Sequence, residues 1–207
     1  VSAAPNGSAV NTSGTQSGTH TAVAGGTDPY TFDVLAADGA RVYLDLNQNG
    51  TFDTGETIID AWTGQAASSP LTSGSYALTA GQLYRLRVEY NDTSSSAAVV
   101  NVRMKSNSTG TMAPIPAGCV FRADPLSGAP TTTKGLWAGY YSNAALTDPP
   151  LYAAQDTSTS TLTNSYCASK PATGSLGAAG SNNYAGRFDT YIKTASQGLT
   201  YGFQLVA

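Results

Sequence analysis

Leu83-Tyr-Arg-Leu-Arg-Val-Glu-Tyr90 decides the fold class. Tyr84, Leu86, Val88 and Tyr90 face one way, and Arg85, Arg87 and Glu89 face the other. That period of two belongs to a strand with one buried and one wet face. Downstream, Asn91-Asp-Thr-Ser turns the chain into Ala97–Met104, which alternates again. Upstream, Tyr30–Ala36 reads as a strand, Arg41–Asp45 as another after the Asp38-Gly39 turn, and Thr57–Trp62 as a third. No segment shows a period of 3.6.

Composition agrees. Gly (22), Ser (22) and Thr (27) far outnumber the 13 acids and 10 bases, yet 41% of the chain is hydrophobic. That apolar content argues against disorder, and only two Glu and four Lys leave few surface helix formers. Thr, Val and Tyr suit half-buried pleated surfaces. The expectation is an all-β protein, an antiparallel sandwich or barrel.

A net charge of −3 and a pI near 4.9 speak against a nucleic-acid partner, which needs a basic face. No run of 18 apolar residues predicts a membrane span. The chain starts at Val1 without Met or a signal-peptide pattern, so the expectation is a leader removed or a chain trimmed. Low Lys, high Ser and Thr and two cysteines point to an exported, extracellular or cell-surface protein. Sequons at Asn6, Asn11, Asn49, Asn91 and Asn107 permit glycosylation, and such triplets also arise by chance in so Ser- and Thr-rich a chain.

Four regions follow from texture. Residues 1–28 are a Gly/Ser/Thr-rich arm or weak edge strand, and 29–125 form a first block. Residues 126–134 are a linker by composition, able to span roughly 30 Å. Residues 135–207 form a second block with a long irregular middle, Gln155–Asn183. Tyr30-x-Phe-x-Val-Leu-Ala36 and Tyr201-x-Phe-x-Leu-Val-Ala207 repeat one pattern across the two blocks.

The strongest chemical motif is Asp45-Leu-Asn-Gln-Asn-Gly-Thr-Phe-Asp-Thr-Gly-Glu56. Oxygen side chains fall at loop positions 1, 3, 5, 9 and 12 (Asp45, Asn47, Asn49, Asp53, Glu56). Gly50 sits at position 6, where the loop must turn, and Thr51 can offer a carbonyl at position 7. This is the spacing of a calcium loop, because a hard cation needs six or seven oxygens from a short stretch. Three carboxylates within twelve residues repel one another without a cation. The flanks are strands, so the Ca²⁺ would sit at a hairpin tip in a structural role. The competing reading is a polar Asn-Gly hairpin loop without metal.

Gly135-Leu-Trp-Ala-Gly-Tyr-Tyr141, Asn183-Tyr-Ala-Gly-Arg-Phe-Asp-Thr-Tyr-Ile192 and Gly198-Leu-Thr-Tyr-Gly-Phe203 resemble the opening motifs of the PA14 family of β-sandwich domains, found in bacterial toxins, adhesins, glycosidases and yeast flocculins. Tyr30–Val34, Ala37–Asp45, Ile58–Trp62, Tyr76–Tyr90 and Ile115-Pro-Ala are similar to its later strands. The family's second half thus comes first here, as in a circular permutation or a split tandem pair. The resemblance implies a PA14-like sandwich completed within the chain or by a neighbouring one. In sugar-binding members an Asp-Asp pair before a Gly holds a calcium that contacts the sugar. Ala37-Asp38-Gly39 keeps Asp38 alone, so the resemblance implies Asp38 as the ligand-binding residue. The competing reading is that Asp38 only starts a turn.

Cys119 and Cys167 lie one in each block. Paired, they would close a loop of about 50 residues worth roughly 4 kcal/mol; the alternative is two separate thiols. The single histidine, His20, sits in the arm, so Ser-His-Asp and His-metal catalysis lack a base. Glu56 belongs to the loop and Glu89 to a charged strand face, which leaves no free carboxylate pair for a glycosidase. Trp62, Trp137 and Tyr140 are platform or core aromatics. The expected function is a non-enzymatic, calcium-stabilised adhesion module with a glycan or cell-surface partner. The alternatives are a head-to-tail subunit of an extracellular filament or layer, and an accessory domain of a glycoside hydrolase.

Overall fold

The computed structural model describes residues 15–19, 26–63, 69–93, 99–107, 110–115, 119–124, 127–141, 143, 145–147, 150, 152–156, 184–194 and 200–204. Among them are fourteen strands and no α-helix, arranged as an all-β, PA14-like antiparallel sandwich. The smaller sheet has the order β5 (Leu71–Thr79), β2 (Thr27–Ala37), β7 (Val99–Ser106), β8 (Ala113–Pro114). The larger sheet runs β10 (Pro130–Lys134), β9 (Val120–Ala123), β13 (Tyr184–Lys193), β6 (Leu83–Asp92), β3 (Gly39–Leu44), β4 (Thr57–Ala61). On the same sheet β11 (Leu136–Tyr141) pairs with both β13 and β12 (Tyr152–Asp156).

The alternation in β6 is what the structure uses. Tyr84, Leu86, Val88 and Tyr90 are buried, and they meet Ala40, Val42 and Leu44 of β3 and Phe188 and Ile192 of β13. Leu136, Ala138 and Tyr140 extend this inner face, with Tyr140 edge-on to Phe188 at 6.0 Å between ring centroids. The small sheet covers it with Tyr30, Phe32, Val34 and Ala36 of β2 and Val100 and Val102 of β7. Side chains from two inner faces close one core, as sheet-on-sheet packing requires.

The two sequence blocks share this sheet. β13 pairs with β6 over ten residues, from Tyr184↔Asp92 to Lys193↔Leu83, and on its other edge with β11 and β9. A strand of the second block is therefore inserted between two strands of the first. Residues 130–134 of the expected linker are β10, paired with β9. Within the expected arm, β1 (Thr15–Thr19) pairs with β14 (Thr200–Gln204) in a separate two-stranded sheet. The two Tyr-x-Phe segments thus take different places: Tyr30 lies in the centre of the small sheet, Tyr201 in that ribbon. The stretch 157–183 and His20 lie outside the described residues.

Candidate functional site: the loop at the end of β3 and the face beside it

Asp45–Glu56 joins β3 to β4, and each end is tied to the sheet. The Leu44 N–H donates to the Glu56 carbonyl (2.9 Å), and the Asp45 N–H to the Arg85 carbonyl on β6 (3.0 Å). Gln48, Gly50 and Gly55 have positive φ (59°, 85° and 95°), and the two glycines adopt it without a Cβ clash. Asp45 and Glu56 are buried at the neck, and Asn47, Asn49, Thr51 and Asp53 are exposed at the tip.

The carboxylates organise the loop. Asp45 Oδ1 accepts from Asn49 N (3.1 Å) and Oδ2 from Gly50 N (2.8 Å). Glu56 Oε1 accepts from the N–H groups of Leu46 (2.8 Å) and Asn47 (3.2 Å), and Oε2 from Asp53 N (2.8 Å). Asp53 Oδ2 accepts from Asn47 Nδ2 (2.9 Å) and Asn49 Nδ2 (2.7 Å). These bonds, Asn47's first, hold the Asp53 carboxyl below its ordinary range. The donor set is all oxygen, the chemistry a hard cation takes. Among the described residues no three of His, Cys, Asp and Glu converge as a metal cluster; backbone amides occupy Asp45 and Glu56.

The loop also leans on the outer face of the large sheet. Phe52 packs against Tyr43, with ring centroids 5.6 Å apart, and carries the guanidinium groups of Arg85 and Arg87 at 5.0 Å each. Arg85 also donates to the Gly50 carbonyl. Four of the chain's six arginines stand on this face. Arg85 and Arg87 pair with Asp189 (3.5 and 2.9 Å), and Arg187 and Arg41 with Glu89 (3.1 and 3.7 Å). Tyr43 Oη donates to Glu89 Oε2 at 3.0 Å. Burial, and next the Glu89 charge, push the Tyr43 phenol above its usual range, so it remains a donor. Glu89 is thus fully engaged by a phenol and two guanidinium groups.

Asp38 lies at the other end of β3, roughly 20 Å away by strand rise. Its Oδ2 accepts from Thr93 N (2.7 Å) and Thr93 Oγ1 (3.1 Å). Beside it Asn91 Nδ2 donates to the Trp62 carbonyl (2.8 Å). A Cβ on Gly39 would lie 2.1 Å from that carbonyl oxygen, so backbone approach dictates the glycine. The two candidate sites are therefore not brought together. The antiparallel register Gly39↔Asn91 gathers Asp38, Trp62, Asn91 and Thr93 at one end, a grouping no local motif announces.

Trp62 is half-buried outside the main core, against Tyr141, Leu146 and Ala185, with Arg41 at 4.3 Å over its ring. Tyr140 belongs to the core and Trp137 is half-exposed on the outer face. Cys119 is half-buried with a free thiol, and its expected partner Cys167 lies outside the described residues.

Fold and loop together define an all-β sandwich module with an oxygen-rich loop at one sheet end. Residues 21–116, a little under half of the chain, match the model of the PA14 domain family. Its bounds contain both the loop and Asp38. The match stops short of residues 135–207, whose likeness to the family's opening strands rests on their motifs. Neither a curated protein nor a solved structure matches the chain.

Proposed function

We propose that this protein is a non-enzymatic, exported surface module that attaches to glycans and is stabilised by one Ca²⁺ in the loop Asp45–Glu56. The PA14 match carries the reading, because that domain is a carbohydrate-binding, adhesion-type module, typically extracellular. The loop supports the calcium part by its donors: Asp45, Asn47, Asn49, Asp53 and Glu56 side chains with the Thr51 carbonyl would hold the ion. The amides of Asn47 and Asn49 now turn nitrogen towards Asp53; rotating both about χ2 presents oxygen at the same point. A bound cation would supply charge that offsets the three carboxylates and would fix the loop.

Asp38 is the proposed glycan contact, with Trp62 on the neighbouring backbone. A glycan array probed with the full chain in calcium tests the attachment. Hits that vanish in the Asp38→Ala variant, with the melting curve unchanged, support it. An array without hits rejects glycan attachment and leaves only a protein partner.

A second reading, head-to-tail assembly through an exchanged strand, has one observation in its favour. β14 carries the second Tyr-x-Phe segment and lies outside both sheets of the sandwich. An apolar strand of this kind invites pairing with another chain. Light scattering tests it: a mass growing with concentration supports assembly, and a strictly monomeric mass rejects it.

A further inference from the structure

The bonds around Asn49-Gly50 have a second chemical meaning. Asn49 Oδ1 accepts from Thr51 N and Thr51 Oγ1, both at 2.8 Å. The Gly50 N–H is held by Asp45 Oδ2 at 2.8 Å, and Asn49 Nδ2 by Asp53 Oδ2 at 2.7 Å. Read as a reaction coordinate, these are two donors on a carbonyl oxygen and an acceptor on an adjacent nucleophilic nitrogen; the Asp53 contact orients the amide, and the proton for its departure comes from solvent. Donors placed on an oxygen that gains negative charge stabilise a tetrahedral intermediate. Hydrogen bonds on both Asn49 amide atoms and on the Gly50 N–H restrict the rotations that closure must otherwise freeze. Gly50 has no Cβ, and nothing lies within 4 Å of where one would stand, so no side chain on the following residue crowds the closing ring.

We propose that Asn49 is a self-modification site: the folded loop promotes closure of Asn49 and Gly50 to a succinimide, which hydrolyses to aspartate or isoaspartate. The Gly50 N–Asn49 Cγ bond forms and the Cγ–Nδ2 bond breaks. The Gly50 N–H proton leaves to solvent, solvent returns a proton to the departing nitrogen, and ammonia is released. One water then opens the imide. Opening at Cγ gives an aspartate in the normal chain, and opening at the backbone carbonyl gives isoaspartate. No redox partner is needed. Asn49 is exposed, so water enters and ammonia leaves freely. The normal aspartate adds a fourth carboxylate to Asp45, Asp53 and Glu56 in the same loop. The proposal does not depend on the loop holding a cation.

The test incubates the full chain at neutral pH in EGTA, folded and in urea, followed by digestion and mass spectrometry. A synthetic peptide spanning residues 44–57, which carries the same Asn49-Gly50 pair, calibrates the effect of urea on the chemistry. Relative to that peptide, Asn49 is expected to convert about tenfold faster in the folded chain than in urea. In Thr51→Val, which keeps the backbone donor and loses the hydroxyl, the folded rate is expected to drop several-fold while the urea rate stays the same. A folded Asn49 rate at or below the urea rate overturns the proposal, as does a Thr51→Val rate equal to wild type in a chain that melts normally.

Discussion

Asp53 shows how single side chains set the behaviour of the loop. Its pKa is lowered by the amides of Asn47 and Asn49, so its stabilisation is present above the ordinary carboxylate range and is lost as pH falls through its folded value. The melting temperatures of wild type and Asp53→Asn in EGTA should therefore differ near neutral pH and converge as the pH falls below the ordinary carboxylate range. A gap that persists in acid would place the effect elsewhere. Gly39 carries a sharper constraint. Gly39→Ala puts a methyl group against the Trp62 carbonyl, which is backbone and cannot swing away, so a loss of about 1–3 kcal/mol in urea unfolding is expected. Cys119 gives a third readout: burial raises its thiol pKa, against the pull of Lys134 and Lys193. Alkylation of the reduced protein at neutral pH should be slower at Cys119 folded than in urea.

At the scale of elements, strands with one buried and one wet face were legible in the sequence, and strands mostly exposed on both were not. β6, β3 and β7 alternate because their outer faces carry arginines and their inner faces a core. β5, Leu71–Thr79, has little alternation to read: it is an edge strand, mostly exposed, rich in Ser and Thr, and the local sequence looks like a loop. β10 hides in Pro-Thr-Thr-Thr-Lys134 for the same reason, with few apolar residues to mark it. The loop Asp45–Glu56 between two strands was legible because its polar residues and glycines are contiguous. Its contacts with Arg85 and Phe52's place against Arg87 depend on β6 lying beside β3, which no local pattern states. Asp33–Arg103, a part-buried bidentate pair 70 residues apart in sequence, escaped for that reason too. The insertion of β13 makes a prediction of its own. Phe188→Ala should cost about 3–5 kcal/mol, because it opens a cavity where both blocks and the small sheet meet. Trp137→Ala, on the outer face, should cost much less, and equal losses in urea denaturation would contradict this packing.

For the molecule as a whole, the sandwich supplies the frame and its two ends the chemistry. One end of β3 presents the oxygen-rich loop, braced by Arg85 and Phe52 on the sheet; the other presents Asp38 and Trp62. If a cation fixes the first end, the whole cooperative unit gains, because the loop joins β3, inside the larger sheet, to its edge strand β4. Ligand at 100 times its dissociation constant adds about 2.7 kcal/mol, enough to move the melting temperature by several degrees. The measurement that bears most directly on this account is calcium titration by calorimetry, paired with melting curves in calcium and in EGTA. One Ca²⁺ per chain is expected, with a higher melting temperature in calcium and loss of both in Asp45→Ala; no heat of binding, with identical melting curves, would show that the loop holds no calcium.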